Sequence, residues 1–359
     1  MHFALTDEQK ELVSIVRGLV ERRTGSMDVR AASATDLGYD ADLWQALCEQ
    51  IGVAALAIPE ELGGAGFSYL ETHLVLEELG AALTPSPLLG SGILATQALL
   101  LAGGSPLLEE LAGGAVAALA WADNSGCWRT DGSDLTATPE GDGWRIQGTA
   151  TLVLDAAHAD HLLAIAKTPS GVGLFHLAPD DAQIVATPAM DQTLSLADVT
   201  FNSAATAVVE SGFDAVLPRL RAIAATAVSA LQTGGAQRAL DLTVAYLKER
   251  EQFGRPLGSF QALKHRCADL VVLVESARSM SWAAGWSAAY DPETLELRAA
   301  LAKSWCGDAF NTVAGEMIQL HGGIAITWEH DAHLYFKRAH ALGQLFGRSA
   351  EYRRELIQA

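Results

Sequence analysis

Residues 246–261 read YLKEREQFGRPLGSFQ, and the organisation of the chain turns on where that stretch breaks. Upstream, Leu240, Val244 and Leu247 keep the spacing of one helix face, and the pattern holds as far as Phe253. Gly254, Pro256 and Gly258 interrupt it and force a turn. A second helix starts at once, with Phe260, Leu263, Cys267, Leu270 and Val274 along one face. The corner between the two helices holds Arg250, Phe253, Gly254, Leu257 and Gln261, and a short echo follows later, QLHGG, with Gln319, Gly322 and Gly323.

Around this corner lies a chain of 359 residues, enough for two to three domains with sizeable cores. Half of its residues are hydrophobic and 19% are charged, which excludes a disordered chain. A formal net charge of -19 argues against a nucleic-acid partner or an anionic membrane surface, because both need a basic patch. Cys48, Cys127, Cys267 and Cys306 are scattered without Cys-x-x-Cys spacing, and are expected to be reduced, buried packing residues. No basic leader with an apolar run opens the sequence, so the expected location is cytoplasmic. The longest apolar run, residues 93–102, includes Thr96 and Gln97 and falls far short of the roughly 18 to 20 residues of a bilayer span. It reads as a core helix.

In chain order, Thr6 and Gln9 make a capping-box start, and Leu12, Val13, Val16, Leu19 and Val20 carry one helix face towards Arg23. Trp44, Leu47 and Ile51 suggest another helix, stopped at Gly52. The turn at 59–66, PEELGGAG, lacks both the dinucleotide glycine pattern and the Lys-Ser/Thr of a P-loop, so it reads as a structural turn rather than a phosphate cradle. Helical spacing continues over 69–83 and 91–101, with Pro85 and Pro87 between. From Ala115 the texture changes to short β-prone runs at 135–137, 144–147, 162–166, 172–177 and 199–201. After Phe213 helical periodicity returns through 218–247, 260–290, 292–320 and 331–356. The expected division is a helical domain at 1–114, a β-domain at 115–212 and a helical domain at 213–359.

The corner, Arg-x-x-Phe-Gly-x-x-Leu-x-x-x-Gln, together with the later Gln-x-x-Gly-Gly, resembles the acyl-CoA dehydrogenase family, which carries both motifs in this order. The 59–66 turn followed by Leu-Glu-Glu-Leu-Gly at 76–80 is similar to that family's amino-terminal domain. The resemblance covers nearly the whole chain, most strongly in the last third. It implies the acyl-CoA dehydrogenase-like fold: an amino-terminal α-helical domain, a middle β-domain and a carboxy-terminal four-helix bundle. It also implies FAD, with Arg250 on the pyrophosphate, Phe253 offering a ring, Gln261 and Gln319 supplying amides, and Gly322 and Gly323 letting backbone approach closely. In the family these residues complete the FAD site of a neighbouring subunit, so the resemblance implies an oligomer.

Other parts of the family's pattern are absent. Its chemistry, α,β-desaturation of an acyl-CoA thioester, needs a carboxylate to take the α-proton while hydride leaves to the flavin. Most members place that Glu in a Tyr-Glu-Gly-Thr-type segment. Residues 345–349 stand there in this chain and read LFGRS, so Phe346 and Gly347 occupy the expected base position. A minority place it near the start of the helix leading to the corner, and that position is Ala224. The family's flavin-cradling Thr-Glu-Pro-x-Ala-Gly-Ser-Asp stretch corresponds to residues 121–126, WADNSG, and its aromatic-x-Thr to Leu152, Val153 and Leu154.

The residues that would serve a neighbour's FAD are therefore kept, and those for a site within this subunit are lost. The expected function is that of the non-catalytic, FAD-completing subunit of a heterotetrameric acyl-CoA dehydrogenase. The resemblance implies a homologous partner chain carrying the base Glu, an acyl-CoA substrate of bulky, steroid-like kind, and electron-transfer flavoprotein as acceptor. Two alternatives stay open: a homomeric enzyme recruiting Glu249, Glu251, Glu316, Glu329 or Glu351 as base, and a flavin-free assembly subunit. The pairs His158/His161 and His330/His333 lack a third ligand at a recognised interval, so no metal is expected, and Ser125 and Ser349 lack a nucleophile-elbow setting. His321 is expected to pack at the cofactor edge.

Overall fold

The computed structural model describes residues 4–358. Helix α1, Asp7–Arg23, opens on the predicted capping box: Thr6 Oγ1 accepts from the Gln9 amide at 3.2 Å, and Gln9 Oε1 accepts from the Thr6 amide at 3.0 Å. Asp7 and Glu8 in its first turn and Arg22 and Arg23 in its last complement the helix dipole. Next come α2, Ser26–Ser33, and α3, Ala41–Ala46, which runs into a π-helical turn, Leu47–Ile51, closed by Gly52 at φ 76°. The 59–66 turn is built for packing, since a Cβ at Gly64 would lie 2.0 Å from the Ile58 carbonyl oxygen. Helix α4, Tyr69–Ala81, a π-helical turn, Leu88–Ala95, then α5, Thr96–Leu101, and α6, Leu107–Ala112, complete the first helical stretch.

The strands are β1 Ala117–Ala120, β2 Thr136–Glu140, β3 Gly143–Leu154, β4 His161–Thr168, β5 Gly171–Leu177, β6 Ala182–Ala186 and β7 Leu196–Val209. They pair in the order β1-β4-β2-β3-β7-β5, with β6 also on β7 and β5 returning to β4, so the sheet closes on itself. Ile146, Leu162, Phe175 and Phe201 fill its interior, and closure leaves few unpaired edges. Strands β1 and β6 were not among the expected runs. All four residues of β1 are buried, so its sequence AALA has no polar alternation to reveal it.

The carboxy-terminal helices are α7 Leu217–Glu249, α8 Gln261–Tyr290, α9 Leu295–His321, α10 Ala332–Gln344 and α11 Ser349–Gln358, with a two-stranded hairpin, β8 Glu251–Gln252 and β9 Arg255–Pro256, between α7 and α8. Helices α8 and α9 meet along small residues, Ala277 and Ala284 against Ala302, Cys306 and Ala309, which lets their backbones approach closely. The single helix expected over 331–356 is two helices, because Phe346 at φ 58° and Gly347 at φ 110° turn the chain between them. Of the four cysteines, all free, Cys306 is buried as expected, Cys48 and Cys267 are half-buried, and Cys127 is exposed, against expectation, in the loop after β1. No described helix is long and apolar enough to cross a membrane.

The chain forms two compact units: one of Met1–Val29, His73–Thr84 and Ala225–Ala359, and one of Arg30–Thr72 and Pro85–Ala224. The first holds the corner between α7 and α8. The second holds the sheet.

Candidate functional site

The end of α7, the end of α9 and the start of α10 are joined by a column of rings. Tyr246 stacks on His321 at 4.3 Å between centroids, and His321 lies 4.5 Å from His330. The Tyr246 hydroxyl donates to the His321 carbonyl at 3.4 Å, and His321 Nδ1 sits 2.7 Å from the Met317 carbonyl oxygen, which fixes Nδ1 as the protonated nitrogen. Burial holds the His321 imidazolium disfavoured, so its pKa lies below the ordinary value, with the Met317 carbonyl opposing and His330 adding to the shift. His321 is thus a neutral packing ring.

This column brings the two motifs together. Arg250 lies one helical turn beyond Tyr246, with its amide on the Tyr246 carbonyl at 2.8 Å, and Gly322 directly follows His321. The Arg250 carbonyl accepts from Leu257 at 2.8 Å, which ties the hairpin back to the helix end. At the hairpin tip Phe253 (φ 57°) and Gly254 (φ 78°) both lie in the left-handed region, as a two-residue turn between antiparallel strands requires. The turn thrusts the Phe253 ring outward, 90% exposed, edge-on to Phe260 with 6.2 Å between the ring centroids. The Arg255 guanidinium lies 3.9 Å over the Phe260 ring.

The polar groups at this corner are uncommitted. Arg250 and Gln319 are exposed, and neither side chain has a hydrogen bond or ion pair among the described residues. Gln261, the first residue of α8, reaches only His265 among the described residues, at 3.4 Å. Nothing lies within 4 Å of where a Cβ would stand at Gly322 or Gly323. A guanidinium, two amides, an exposed ring and open backbone are a donor set suited to a diphosphate bearing an aromatic base, so the residues present fit the ADP half of FAD. Tyr246, Arg255 and Phe260 belong to the corner but were not singled out for it, since an aromatic beside a glycine-proline turn looks like core.

The expected base positions carry no carboxylate. Ala224 is fully buried, and Tyr69, also buried, donates to the neighbouring Ile223 carbonyl at 3.2 Å. The 345–349 corner is locked from inside: Phe346 is 1% exposed, and Tyr352 donates to its carbonyl at 2.7 Å. Lys303, fully buried on α9, donates through Nζ to the carbonyls of Gly347 at 2.9 Å, Leu342 at 3.1 Å and Gly343 at 3.4 Å. Among the alternative bases, Glu316 is engaged by Arg266, and Glu351 caps the Arg348 amide at 3.2 Å. Glu249, Glu251 and Glu329 are solvent-exposed.

In the other unit, the 121–126 loop closes on itself. Asp123 Oδ1 accepts from the amides of Ser125 at 2.8 Å and Cys127 at 2.9 Å, and Trp121 is buried with Nε1 on the Arg129 carbonyl at 2.8 Å. The β3 bulge at Leu152 (φ 52°) packs that side chain against Gly126, an aliphatic contact. Of the histidines, His161 lies against His176 and Glu110, and His330 against His321.

The sequence profile described as "Acyl-CoA dehydrogenase, N-terminal domain" matches residues 6–111, and "Acyl-CoA dehydrogenase, C-terminal domain" matches residues 210–359. Acyl-CoA dehydrogenase IpdE2 of Mycolicibacterium smegmatis is 42% identical over 98% of both chains. The chain belongs to the acyl-CoA dehydrogenase family. Its members are FAD-dependent oxidoreductases, and the fold expected of them is the one observed. Two solved structures are similar to it along nearly its whole length. The Tcur3481-Tcur3483 steroid acyl-CoA dehydrogenase (G363A variant) matches with TM-score 0.89 and 31% identity over 98% of this chain and 97% of that one. The ChsE4-ChsE5 complex from Mycobacterium tuberculosis matches with TM-score 0.89 and 30% identity over 100% of this chain and 98% of that one.

Proposed function

We propose that this acyl-CoA dehydrogenase chain is the FAD-completing, base-free subunit of a heteromeric enzyme. The observation that carries the reading is a contrast within one compact unit. Arg250 and Gln319 stand exposed, with no side-chain partner among the described residues, whereas the 345–349 segment is packed shut around Phe346 with no carboxylate in it. A chain with no use for a diphosphate has no evident reason to hold an exposed arginine, unpaired among the described residues, in the same unit as two glycines with open space around them.

In this reading FAD, when bound at the subunit interface, supplies the hydride acceptor. Arg250 neutralises the pyrophosphate, Phe253 gives a flat apolar contact, and the Gln261 and Gln319 amides fix orientation, while Gly322 and Gly323 admit the ligand's approach to backbone. Removal of the α-proton falls to a carboxylate on the partner chain. The partner is a homologous acyl-CoA dehydrogenase subunit, a reading supported by the likeness to the ChsE4-ChsE5 complex, and the substrate a bulky acyl-CoA thioester of steroid type, supported by the likeness to the Tcur3481-Tcur3483 steroid acyl-CoA dehydrogenase. Electron-transfer flavoprotein serves as acceptor. The three-part division at 114/115 and 212/213 and a cytoplasmic site of action belong to the same reading.

The test is Arg250→Ala in a complex with a co-expressed, base-bearing homologous chain. Loss of one charge-assisted pair to a diphosphate costs about 1.5–3 kcal/mol, which is roughly a 10- to 150-fold weaker FAD affinity. The complex itself should still assemble. FAD binding unchanged by the substitution refutes the role given to this corner.

A further inference from the structure

Asp155 ends β3 in a conformation that non-glycine residues seldom adopt, φ 60° and ψ 12°, with its amide on the Ser195 carbonyl at 3.0 Å. Its side chain is 8% exposed and accepts a hydrogen bond from the amide of Gly90, in the first turn of the π-helical segment Leu88–Ala95. That turn begins at Pro87, which offers no side-chain cap, so the distant carboxyl takes the place of a local one. The fit admits only glycine: a Cβ at residue 90 would stand 2.2 Å from Asp155 Oδ2 and 3.0 Å from the Leu154 Cβ. Beside the carboxyl is a cavity of about 10 Å³, the room one water takes, lined also by Tyr39, Ser86, Thr193 and Ser195.

Among the described residues, no cation lines this niche. The residues facing it come from the loop before α3 (Gly38, Tyr39), the start of the π-helical segment (Ser86, Leu89) and the loop before β7 (Thr193, Leu194, Ser195), and the Tyr39 phenol is the one titratable group among them. A carboxylate is therefore opposed here by burial, with one amide in its favour.

We propose that Asp155 is a proton-operated latch: as the neutral acid it pins the π-helical turn Leu88–Ala95 to the end of β3, and on ionisation it lets that turn open to water. The proton leaves to solvent as the turn opens, and closing takes it back. Burial raises the Asp155 pKa to about 7, against 3.8 for a solvated aspartate, with the Gly90 amide opposing the shift. The closed form keeps its proton where the open form has lost it, so the latch is firm below about pH 4, weakens as pH rises through about 7, and weakens no further above that. The proposal is independent of the FAD-completing role.

Hydrogen exchange of the whole chain, corrected for intrinsic rates, reads the latch directly. Opening of peptides spanning 88–95 should increase on the order of tenfold per pH unit between pH 5 and 7. Asp155→Asn should show a pH-independent profile over the same range. A corrected wild-type rate that changes less than about threefold, or a rise equally steep in Asp155→Asn, overturns the latch. Should that variant not fold, carbon-13-labelled aspartate in the wild type decides: one carboxyl titrating near pH 7 upholds the proposal, and all of them titrated by pH 5 overturns it.

Discussion

Replacing Lys303 by Met tests the claim that the 345–349 corner is a rigid structural element. Lys303 is fully buried, and its ammonium serves three carbonyls, those of Leu342 and Gly343 in the last turn of α10 and that of Gly347 beyond it. These groups have lost helical partners where Phe346 turns the chain, so the lysine acts as a C-cap from a neighbouring helix. Methionine matches the stem in volume and removes the charge. Each carbonyl left unsatisfied costs about 1–3 kcal/mol, and relief of the buried ammonium returns several kcal/mol, so the net loss expected is about 2–4 kcal/mol. Urea unfolding measures the loss, and hydrogen exchange should confine the first effects to peptides covering 342–352. A Lys303→Met chain within about 0.5 kcal/mol of wild type refutes the argument that these bonds hold the corner.

Other consequences follow from buried groups. His73 is fully buried with Nε2 3.0 Å from Ser281 Oγ, and burial lowers its pKa to about 3. The unfolded chain takes up a proton there that the folded chain refuses, so stability should fall as pH drops below about 6.5, by up to about 1.4 kcal/mol per pH unit. A His73→Gln chain should lose that part of the slope in urea unfolding between pH 6.5 and 5. Cys127, exposed, should be labelled first by a thiol reagent, while Cys306, buried and pushed up to about 12, should be labelled only on unfolding. Mass spectrometry of the modified peptides orders them. Gly347→Glu should not create dehydrogenase activity in the isolated chain, because φ 110° strains any side chain there, and should lower stability by about 1–3 kcal/mol. Turnover with acyl-CoA by that variant alone would show that the corner is adaptable.

The helical framework was legible because its signals are local. The Thr6/Gln9 capping box, the Gly52 stop and the Gly254 turn each stand where the sequence places them. What escaped depends on contacts far along the chain. Strand β1 has no alternation because both its faces are buried, and the break at Phe346 is held by Lys303 on another helix and by Tyr352. Near the candidate site, Arg250, Phe253, Gln319 and Gly322 were readable as a motif. The Tyr246–His321–His330 column that gathers them was not, since ring stacking leaves no spacing signature. Asp155 was missed for a similar reason: its partner, Gly90, looks in sequence like any glycine in an apolar run.

The central claim is tested most directly by flavin absorbance and acyl-CoA dehydrogenation, measured on this chain purified alone and then with a co-expressed homologous chain bearing a base Glu. The account predicts a colourless, inert single chain and a yellow, active complex. A single chain that binds FAD and oxidises acyl-CoA unaided would contradict it, and the base would then be one of Glu249, Glu251, Glu316, Glu329 and Glu351.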